Sequence, residues 1–434
     1  MEIFFDLDDI IEFPEKISIR NVDDLFLIIA YEIPTWITLN RLEFFLFQSL
    51  RKGLSIKESL IESIYQCGID EIEARNLMYS LLLKIEESKF YKNTKPIIED
   101  EPINIEKNIH VYLTHKCNLT CPYCYVSAGN PLEDELSWKE WLFAFERLKE
   151  VAPNAEITFS GGEPLTKKGF FYIVEHTFNL GYKNVLFTNG TLINEDNIVK
   201  LKKFISLIQI SLDGLSPEIN DLTRGKNSFE KILKAIYLIR ENDIPLDIAI
   251  NITPYNLDNI CNGLIKFIED LSYEKLNVRL NFEMDKEGFA INLEDSFFNI
   301  YELNKEKLKN LVLSLINKGY YSIREKSKLR RLKNCGIGLS FGIDSNGDIY
   351  PCDKLYNSYG NIINSNLKDI ANIFSNLNKI TEIDNIEFCQ SCDLKYICNG
   401  GCKINNIINT GSYLLPNCDE KYKKRFYEKL VYGF

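Results

Sequence analysis

The stretch LTHKCNLTCPYCYV, residues 113–126, follows a short apolar run and holds three cysteines in one tight loop. Cys117, Cys121 and Cys124 have the spacing C-x3-C-x2-C, which chance gives on the order of once in a hundred chains with this cysteine content. The loop follows the first strand of a region in which strands and helices alternate, so it lies at the carboxyl edge of the predicted sheet. Barrel-type α/β enzymes place their chemistry at that edge, and the loop therefore marks a candidate active site.

Three thiolates from one loop can hold three corners of a 4Fe-4S cluster and leave the fourth iron free. Such clusters usually take four cysteines, so the absent fourth suggests a substrate or cofactor ligand at that iron. The alternative is a structural zinc site with a distant fourth ligand. The position at the active edge of an α/β sheet counts against zinc.

The region from 109 to 325 predicts an α/β fold in which amphipathic helices separate six strands. Six such units with right-handed crossovers predict a partial (β/α)6 TIM-like barrel, short of the closed eightfold one. The predicted strands are HVYLT, AEITFS, NVLFTN, LIQISLD, LDIAINI and NVRLNFEM.

Residues 1–96 predict a separate domain, and the polar, proline-containing residues 97–108 predict a linker. The domain contains the strand-like run DDLFLIIAYEI (23–33). Two or three amphipathic helices follow it, over residues 40–50, 55–66 and 70–88. Residues 326–434 form the last predicted domain.

Composition excludes several classes of protein. The 434 residues carry a net charge of −11, which argues against a nucleic-acid-binding surface. No run of about 18 uncharged apolar residues occurs, so no membrane span is expected. The acidic N-terminus is not a secretory signal, so we expect a cytoplasmic protein. The reducing cytoplasm disfavours disulfides, and the 12 cysteines therefore point to metal binding or catalysis.

Seven more cysteines fall in the last hundred or so residues, where turn residues dominate and metal is needed to hold the chain together. A pair of zinc ribbons is one interpretation of their CxxC pairs. Cys67 and Cys261 stand alone in apolar, helix-like surroundings and are expected to be inert. The seven are Cys335, Cys352, Cys389, Cys392, Cys398, Cys402 and Cys418.

Three further motifs end successive strands behind the cysteine loop. They are SGGEP at 160–164, TNG at 188–190 and SLDG at 211–214. In this order and register, the four motifs together resemble the radical S-adenosylmethionine (SAM) superfamily. The physics of the second motif agrees, because two glycines allow close backbone approach and a glutamate can accept from an ammonium.

The resemblance implies how this chain would bind SAM. It places eight contacts: Tyr123 beside the adenine; Gly161, Gly162 and Glu163 at the methionine amino group; Asn189 at the end of the third strand; Ser211 and Asp213 at the ribose hydroxyls; and Arg224 at the methionine carboxylate. It also implies that the reduced cluster splits SAM into methionine and a 5′-deoxyadenosyl radical, which abstracts a substrate hydrogen. An electron donor such as flavodoxin or ferredoxin would supply the electron. No motif identifies a general base.

The seven C-terminal cysteines resemble the SPASM module of many peptide-modifying members. That resemblance implies two auxiliary 4Fe-4S clusters, three clusters in all. Cys335, Cys352 and Cys402 would hold the first auxiliary cluster, and Cys389, Cys392, Cys398 and Cys418 the second.

The motifs leave the first auxiliary cluster one thiolate short of four. Cys261 or a non-cysteine group completes it, or one iron is open. We favour the open iron, because iron accepts thiolates well and a substrate sulfur held there gains proximity to the radical.

Residues 1–96 resemble the small winged-helix-like domain that recognises leader peptides in maturases of ribosomally made peptides. A leader would add as a strand to an exposed edge such as FLIIAYEI (26–33); the alternative is a plain helical cap. The order of the three domains resembles sactipeptide and ranthipeptide synthases, which link a cysteine sulfur to carbon. The rivals are carbon–carbon crosslinking, oxidation of a serine or cysteine as in sulfatase maturases, and a non-catalytic peptide carrier.

Overall fold

The protein is described here by a computed structural model that covers residues 5–98, 108–284, 286–321 and 329–432. Its chain packs into two compact units. The terminal unit contains the described parts of residues 1–103, 323–335 and 379–434, and the α/β unit contains those of 104–322 and 336–378. Most of the predicted linker, residues 99–107, lies outside the described residues.

The terminal unit begins with a three-stranded antiparallel sheet of β1 (Ile17–Val22), β2 (Leu25–Ala30) and β3 (Thr35–Leu39). Three helices follow at the predicted places: α1 (Arg41–Arg51), α2 (Ile56–Cys67) and α3 (Glu71–Glu87). Asn40 and Glu43 form a capping box at the start of α1, which satisfies backbone N–H groups that the helix leaves free. A second capping box, of Ser55 and Glu58, starts α2.

The strand predicted from the apolar run is β2, and it is the central strand of its sheet. Ile28 pairs with Ile19 of β1 on one side and with Ile37 of β3 on the other. The expectation that a leader peptide adds to FLIIAYEI is therefore wrong, because the backbone groups of this strand are already paired on both sides. The edges of this described sheet are β1 and β3.

Both faces of β2 are buried, which explains its unbroken apolar sequence. Ile28 and Ala30 pack into the core formed with α1–α3. Leu27 and Ile29 point the other way and pack in a second core with Leu394, from the C-terminal part of the chain. That part contributes α14 (Lys395–Cys398), α15 (Lys403–Thr410) and α16 (Glu420–Tyr432). Two short strands, β4 (Ile97–Ile98) and β11 (Arg330–Arg331), pair in parallel.

The α/β unit is built on an eight-stranded sheet. Six parallel strands lie side by side in chain order, as predicted: β5 (Asn108–Thr114), β6 (Glu156–Gly161), β7 (Lys183–Thr188), β8 (Leu207–Ser211), β9 (Leu246–Asn251) and β10 (Leu276–Asn281). Beside β5 the sheet gains β12 (Phe341–Ile343), parallel to β5, and then β13 (Ile349–Tyr350), antiparallel to β12. The predicted α/β class with a mostly parallel sheet is confirmed.

Helices connect these strands, and one more, α13, follows the last strand. They are α4 (Trp138–Leu148), α5 (Phe170–Asn179), α6 (Glu195–Phe204), α7 (Pro217–Arg224), α8 (Ser228–Glu241), α9 (Leu257–Leu271), α10 (Asp295–Phe298), α11 (Ile300–Leu303), α12 (Lys305–Asn317) and α13 (Leu367–Ile380). On β5, Ile109, Val111 and Leu113 are fully buried, so by strand alternation His110 and Tyr112 lie on the opposite face. None of the helices in the described ranges is long and apolar enough to span a bilayer.

Candidate functional site

The three-cysteine loop leaves the carboxyl end of β5 and is fixed by its own backbone. The Cys117 N–H donates to the Gly129 carbonyl at 2.9 Å, and the Gly129 N–H donates to the His115 carbonyl at 2.9 Å. Two backbone N–H groups donate to sulfur. The Leu119 N–H donates to Cys117 Sγ at 3.4 Å, and the Ala128 N–H donates to Cys124 Sγ at 3.3 Å. Hydrogen bonds to sulfur are one of the levers by which proteins tune iron–sulfur clusters, so the loop fits the ligand role predicted for it.

Burial acts against free thiolates in this loop. It raises the pKa of Cys117 to about 11, and burial likewise raises the pKa of Cys121, against the opposing effect of the Arg224 cation. A bound metal cation reverses this balance, because a coordinating thiol is deprotonated outright. The thiols of this loop would therefore be thiolates when a metal is bound to them.

The SGGEP motif packs its glycines directly on the base of the cysteine loop. A Cβ atom at Gly161, whose φ is +113°, would lie 2.5 Å from the Thr114 carbonyl oxygen, and one at Gly162 would lie 2.3 Å from the Lys116 oxygen. The Gly162 N–H donates to the Thr114 carbonyl at 2.7 Å. The close approach that these glycines permit is therefore an approach to the cysteine loop.

Glu163 is fully buried and joins the ends of β6 and β7. Its carboxylate accepts from the Thr188 hydroxyl at 2.8 Å, from the Asn189 N–H at 2.8 Å and from the Leu165 N–H at 3.1 Å. Burial nevertheless raises its pKa to about 7, because none of these three donors carries a charge. A substrate ammonium would supply that missing charge, so the site fits the predicted role of Glu163.

Asp213, Arg224 and Tyr123 form a buried group at the carboxyl end of β8. Arg224 Nε and the Tyr123 hydroxyl both donate to Asp213 Oδ2, and the Asn251 N–H donates to Oδ1 at 2.9 Å. Arg224 Nη1 lies 3.9 Å from Cys121 Sγ. Three residues that the motifs placed at different parts of SAM are thus in mutual contact, beside a predicted cluster ligand.

Asn189 lies between the cysteine loop and the turn after β7. Its Nδ2 is 2.9 Å from Asn118 Oδ1 and 3.9 Å from Cys117 Sγ, and its Oδ1 accepts from the Thr191 N–H at 2.9 Å. Ser211 is the last residue of β8, two positions before Asp213. The predicted SAM contacts and the three cysteines therefore lie at the carboxyl ends of four neighbouring strands.

Sequence reasoning missed Glu135, which stabilises the start of the cysteine loop. It accepts from the His115 N–H at 2.7 Å, from the Thr114 hydroxyl at 2.8 Å and from Lys167 Nζ at 2.9 Å. Burial acts to raise its pKa, but these donors together hold that pKa below its usual value. No motif marks this residue, since its partners lie at distant positions in the chain.

A second missed feature joins the cysteine loop to the segment around Cys352. The hydroxyls of Tyr112 and Tyr125 lie 3.1 Å apart, and the Tyr112 hydroxyl donates to the Asp353 carbonyl at 2.8 Å. Cys352 Sγ lies 2.8 Å from Asp353 Oδ1. A predicted ligand of the first auxiliary cluster is therefore connected by hydrogen bonds to the residue after Cys124.

The terminal unit brings together the four cysteines predicted to hold the second auxiliary cluster. Burial, together with the thiols of Cys392, Cys398 and Cys418, raises the pKa of Cys389 to about 11. Burial also raises the pKa of Cys418 to about 11, with Cys398 and Cys392 acting in the same direction. Four thiols that act on one another electrostatically form a plausible ligand set for one cluster.

The three cysteines predicted for the first auxiliary cluster are divided between the units. Cys335 and Cys402 belong to the terminal unit and Cys352 to the α/β unit, so their grouping stays a prediction. Burial raises the pKa of Cys261, and the charged groups that act on it are Lys307 and Asp258. Within the described residues, no three His, Cys, Asp or Glu side chains converge closely enough to hold one metal ion.

Comparison with known proteins identifies the class. Residues 111–262 match the radical SAM superfamily, and residues 335–393 match SPASM, an iron–sulfur cluster-binding domain. The chain is 31% identical over 276 residues to the uncharacterized protein MJ0907 of Methanocaldococcus jannaschii, covering 60% of this chain and 90% of that protein. The chain therefore belongs to the radical SAM superfamily. Within it, this protein is a member that carries a SPASM domain.

Other relatives differ in their named activities. An AdoMet-dependent heme synthase of Methanosarcina barkeri is 28% identical over 70% of this chain and 92% of that protein. A PqqA peptide cyclase of Bradyrhizobium diazoefficiens is 27% identical over 72% of this chain and 85% of that protein. The structure of Streptococcus suis SuiB bound to precursor peptide SuiA matches with a TM-score of 0.56 at 16% identity, covering 94% of this chain and 99% of that one. At that identity the match shows the fold. The resemblance to radical SAM maturases with a SPASM domain is confirmed.

Proposed function

We propose that this enzyme modifies a ribosomally synthesised precursor peptide by forming thioether crosslinks between a cysteine sulfur and a carbon. When bound, the reduced cluster and SAM supply the carbon radical that removes a hydrogen atom from the peptide. The residues of this chain hold those groups: Cys117, Cys121 and Cys124 the radical cluster, and Glu163, Asp213 and Arg224 the SAM. We also propose that the enzyme works in the reducing cytoplasm with a flavodoxin-like or ferredoxin-like electron donor.

The observation that carries the thioether proposal is the missing thiolate of the first auxiliary cluster. The resemblance to SPASM assigns this cluster three thiolates, those of Cys335, Cys352 and Cys402. Cys261 or a non-cysteine group is the alternative fourth ligand. A cysteine of the substrate would complete the site, and fixing its sulfur would favour reaction with the carbon radical through proximity.

The relatives support a peptide as the substrate. Two relatives are named for peptides: the PqqA peptide cyclase, and SuiB in its structure with precursor peptide SuiA. The AdoMet-dependent heme synthase is named for heme synthesis and not for a peptide. Other radical chemistry on a peptide, such as carbon–carbon crosslinking or oxidation of a serine or cysteine, is the alternative.

The terminal unit offers a place for the leader of such a peptide. A cavity of about 440 Å³ lies where β3 leads into α1, lined along α3 by Asp70, Ile72, Glu73 and Leu77. Ile72 is 74% exposed. We propose that the leader adds to the β3 edge and places apolar and basic side chains against this acidic, partly apolar groove.

The test is mass spectrometry of the precursor peptide after co-expression with the enzyme. A short cysteine-rich peptide encoded in the neighbouring reading frame is the substrate to try. We expect it to lose two hydrogen atoms per crosslink and to lose one alkylatable thiol for each. Loss of hydrogen with every thiol still alkylatable would contradict thioether formation and favour carbon–carbon crosslinking.

The matched control is Cys121→Ala in the enzyme, which removes a radical-cluster ligand. This variant should leave the peptide unmodified and should not cleave SAM, while the auxiliary clusters remain. Retained cleavage would contradict the radical-cluster assignment itself.

A further inference from the structure

Lys403 is a fully buried lysine at a place that disfavours a positive charge. Its exposed fraction is 0%, and it is the first residue of α15, directly after Cys402. Burial opposes an ammonium, and the amino end of a helix repels a cation. A lysine stays charged in such a place only where negative charge lies close to it.

Cysteines predicted to bind the two auxiliary clusters supply that negative charge. Lys403 directly follows Cys402, which is predicted for the first auxiliary cluster, and its Nζ donates to the carbonyl of Asn399, the residue after Cys398 of the second. Burial lowers the pKa of Lys403, and thiols of both predicted clusters (Cys335 and Cys402, Cys389 and Cys398) act against that shift. When these sulfurs bind iron they are thiolates. The ammonium therefore lies within electrostatic reach of ligands of both clusters.

The position of the ammonium is fixed by the backbone. Lys403 Nζ donates to the Asn399 carbonyl at 2.6 Å. Gly400 approaches so closely that a Cβ atom on it would lie 2.9 Å from Nζ, and Asn406 Nδ2 donates to the Gly400 carbonyl at 3.0 Å. The chain turns tightly around the amine, so the charge has little freedom to move away from the sulfurs.

We propose that Lys403 is a shared counter-charge of the two auxiliary clusters and raises the reduction potential of both. A fixed positive charge favours the reduced form, which carries one more electron, and net charge is among the factors that set cluster potentials. Lys403 acts here as a positioning residue, because it touches neither substrate nor SAM. The inference rests on the auxiliary clusters of the proposed function.

The experiment is an anaerobic redox titration followed by electron paramagnetic resonance. It uses the full chain with Cys117, Cys121 and Cys124 changed to alanine, so that only the auxiliary clusters contribute. Lys403→Met and Lys403→Gln should lower both potentials, and Lys403→Arg should keep them near the starting value. We expect at least a tenfold fall in the ratio of reduced to oxidised cluster at a fixed potential, equivalent to about 59 mV for a one-electron couple.

Lys423 is the matched control. Its charge acts on Cys392 and Cys418, both of the second predicted set, and it is partly exposed and paired with Glu420 at 3.0 Å. Lys423→Met should therefore shift only one potential, and by less, because solvent screens an exposed charge. If Lys403→Met also shifts only one potential, the role as a shared counter-charge is refuted.

The remaining outcomes also decide the question. Unchanged potentials with a full iron load in Lys403→Met would overturn the proposal. Loss of iron in the Met and Gln variants but not in Arg would support it, because the charge is then needed to gather the thiolates. Loss in all three would overturn it, since packing alone would explain that result. Absence of auxiliary iron in the parent protein would instead overturn the proposed function.

Discussion

Glu163 is the residue whose burial has the clearest functional consequence. Its three hydrogen-bond donors are neutral, and burial raises its pKa to about 7. The carboxyl is thus largely charged above that pH and largely neutral below it. A ligand ammonium would bind the charged form.

SAM affinity should therefore fall as the pH drops through about 7. Glu163→Gln should weaken binding about 10- to 100-fold, as expected for losing a charge-assisted hydrogen bond, and should remove this pH dependence. Equilibrium binding of SAM to the anaerobic protein at several pH values measures both effects. A pH dependence that persists in the Gln variant would show that another group is responsible.

Asp213 provides a prediction about stability. It is fully buried and accepts from Arg224, whose side chain is 9% exposed. Asp213→Asn should lower the free energy of unfolding by about 3–5 kcal/mol, because it leaves the Arg224 guanidinium buried without its anion. Anaerobic thermal unfolding should show a clear drop in the midpoint.

The control for this variant is Asp295→Asn, which breaks the exposed pair with Lys286 at 2.7 Å. Exposed pairs contribute little, so its midpoint should stay unchanged. Equal drops in both variants would contradict the importance of burial at Asp213.

Among the structural elements, the sheet of the terminal unit shows what a sequence can and cannot predict. The run LFLIIA predicted the strand β2 correctly, because continuous apolar residues indicate a buried strand. The same run gave no information about neighbours, and β1 and β3, which are more polar or shorter, were not predicted. A strand buried on both faces and paired on both sides therefore looked like an edge.

The α/β unit was predicted more fully, because each of its six parallel strands is followed by a helix with its own periodic pattern. The loops at the strand ends carried recognisable motifs. The contacts within the site were not predictable: the hydrogen bonds of Asp213 with Arg224, or of Tyr112 with Asp353, join residues without a shared local pattern. The short strands β12 and β13 were hidden in a turn-rich segment.

The groove beside α3 gives a prediction for leader binding. Ile72→Lys adds a positive charge and removes apolar surface from the proposed contact, so affinity for the precursor peptide should fall about tenfold. Ile61→Lys, on α2 and 51% exposed, changes a surface outside that groove and serves as the control. Fluorescence anisotropy of a labelled precursor peptide measures both. Equal affinities in the two variants would contradict a leader site at this groove.

On the scale of the whole molecule, the predicted recognition domain shares a core with the segment that follows Cys392. Asp393 accepts from the Ser18 hydroxyl at 2.7 Å, from Arg20 Nε at 2.8 Å and from the Tyr427 hydroxyl at 2.8 Å. Leu394 and Ile397 pack against Leu27 in the same core. The first strands of the chain therefore support the second predicted auxiliary site.

Deleting residues 1–96 should consequently remove more than leader binding. We expect the truncated protein to lose about four irons, those of the second auxiliary cluster, because its ligand segment loses the part of its core that Val22, Leu27 and Ile29 contribute. Iron analysis after anaerobic reconstitution measures this. As a control, Arg20→Ala, which removes one hydrogen bond to Asp393, should retain that iron. A truncated protein with its full iron load would show that residues 1–96 do not support the second auxiliary site.

The central claim is that ten cysteines hold three 4Fe-4S clusters, and iron counting tests it most directly. Anaerobic reconstitution should load about twelve irons per chain, and about eight when Cys117, Cys121 and Cys124 are alanine. A count near four irons in the unmodified chain, accompanied by bound zinc, would contradict the account.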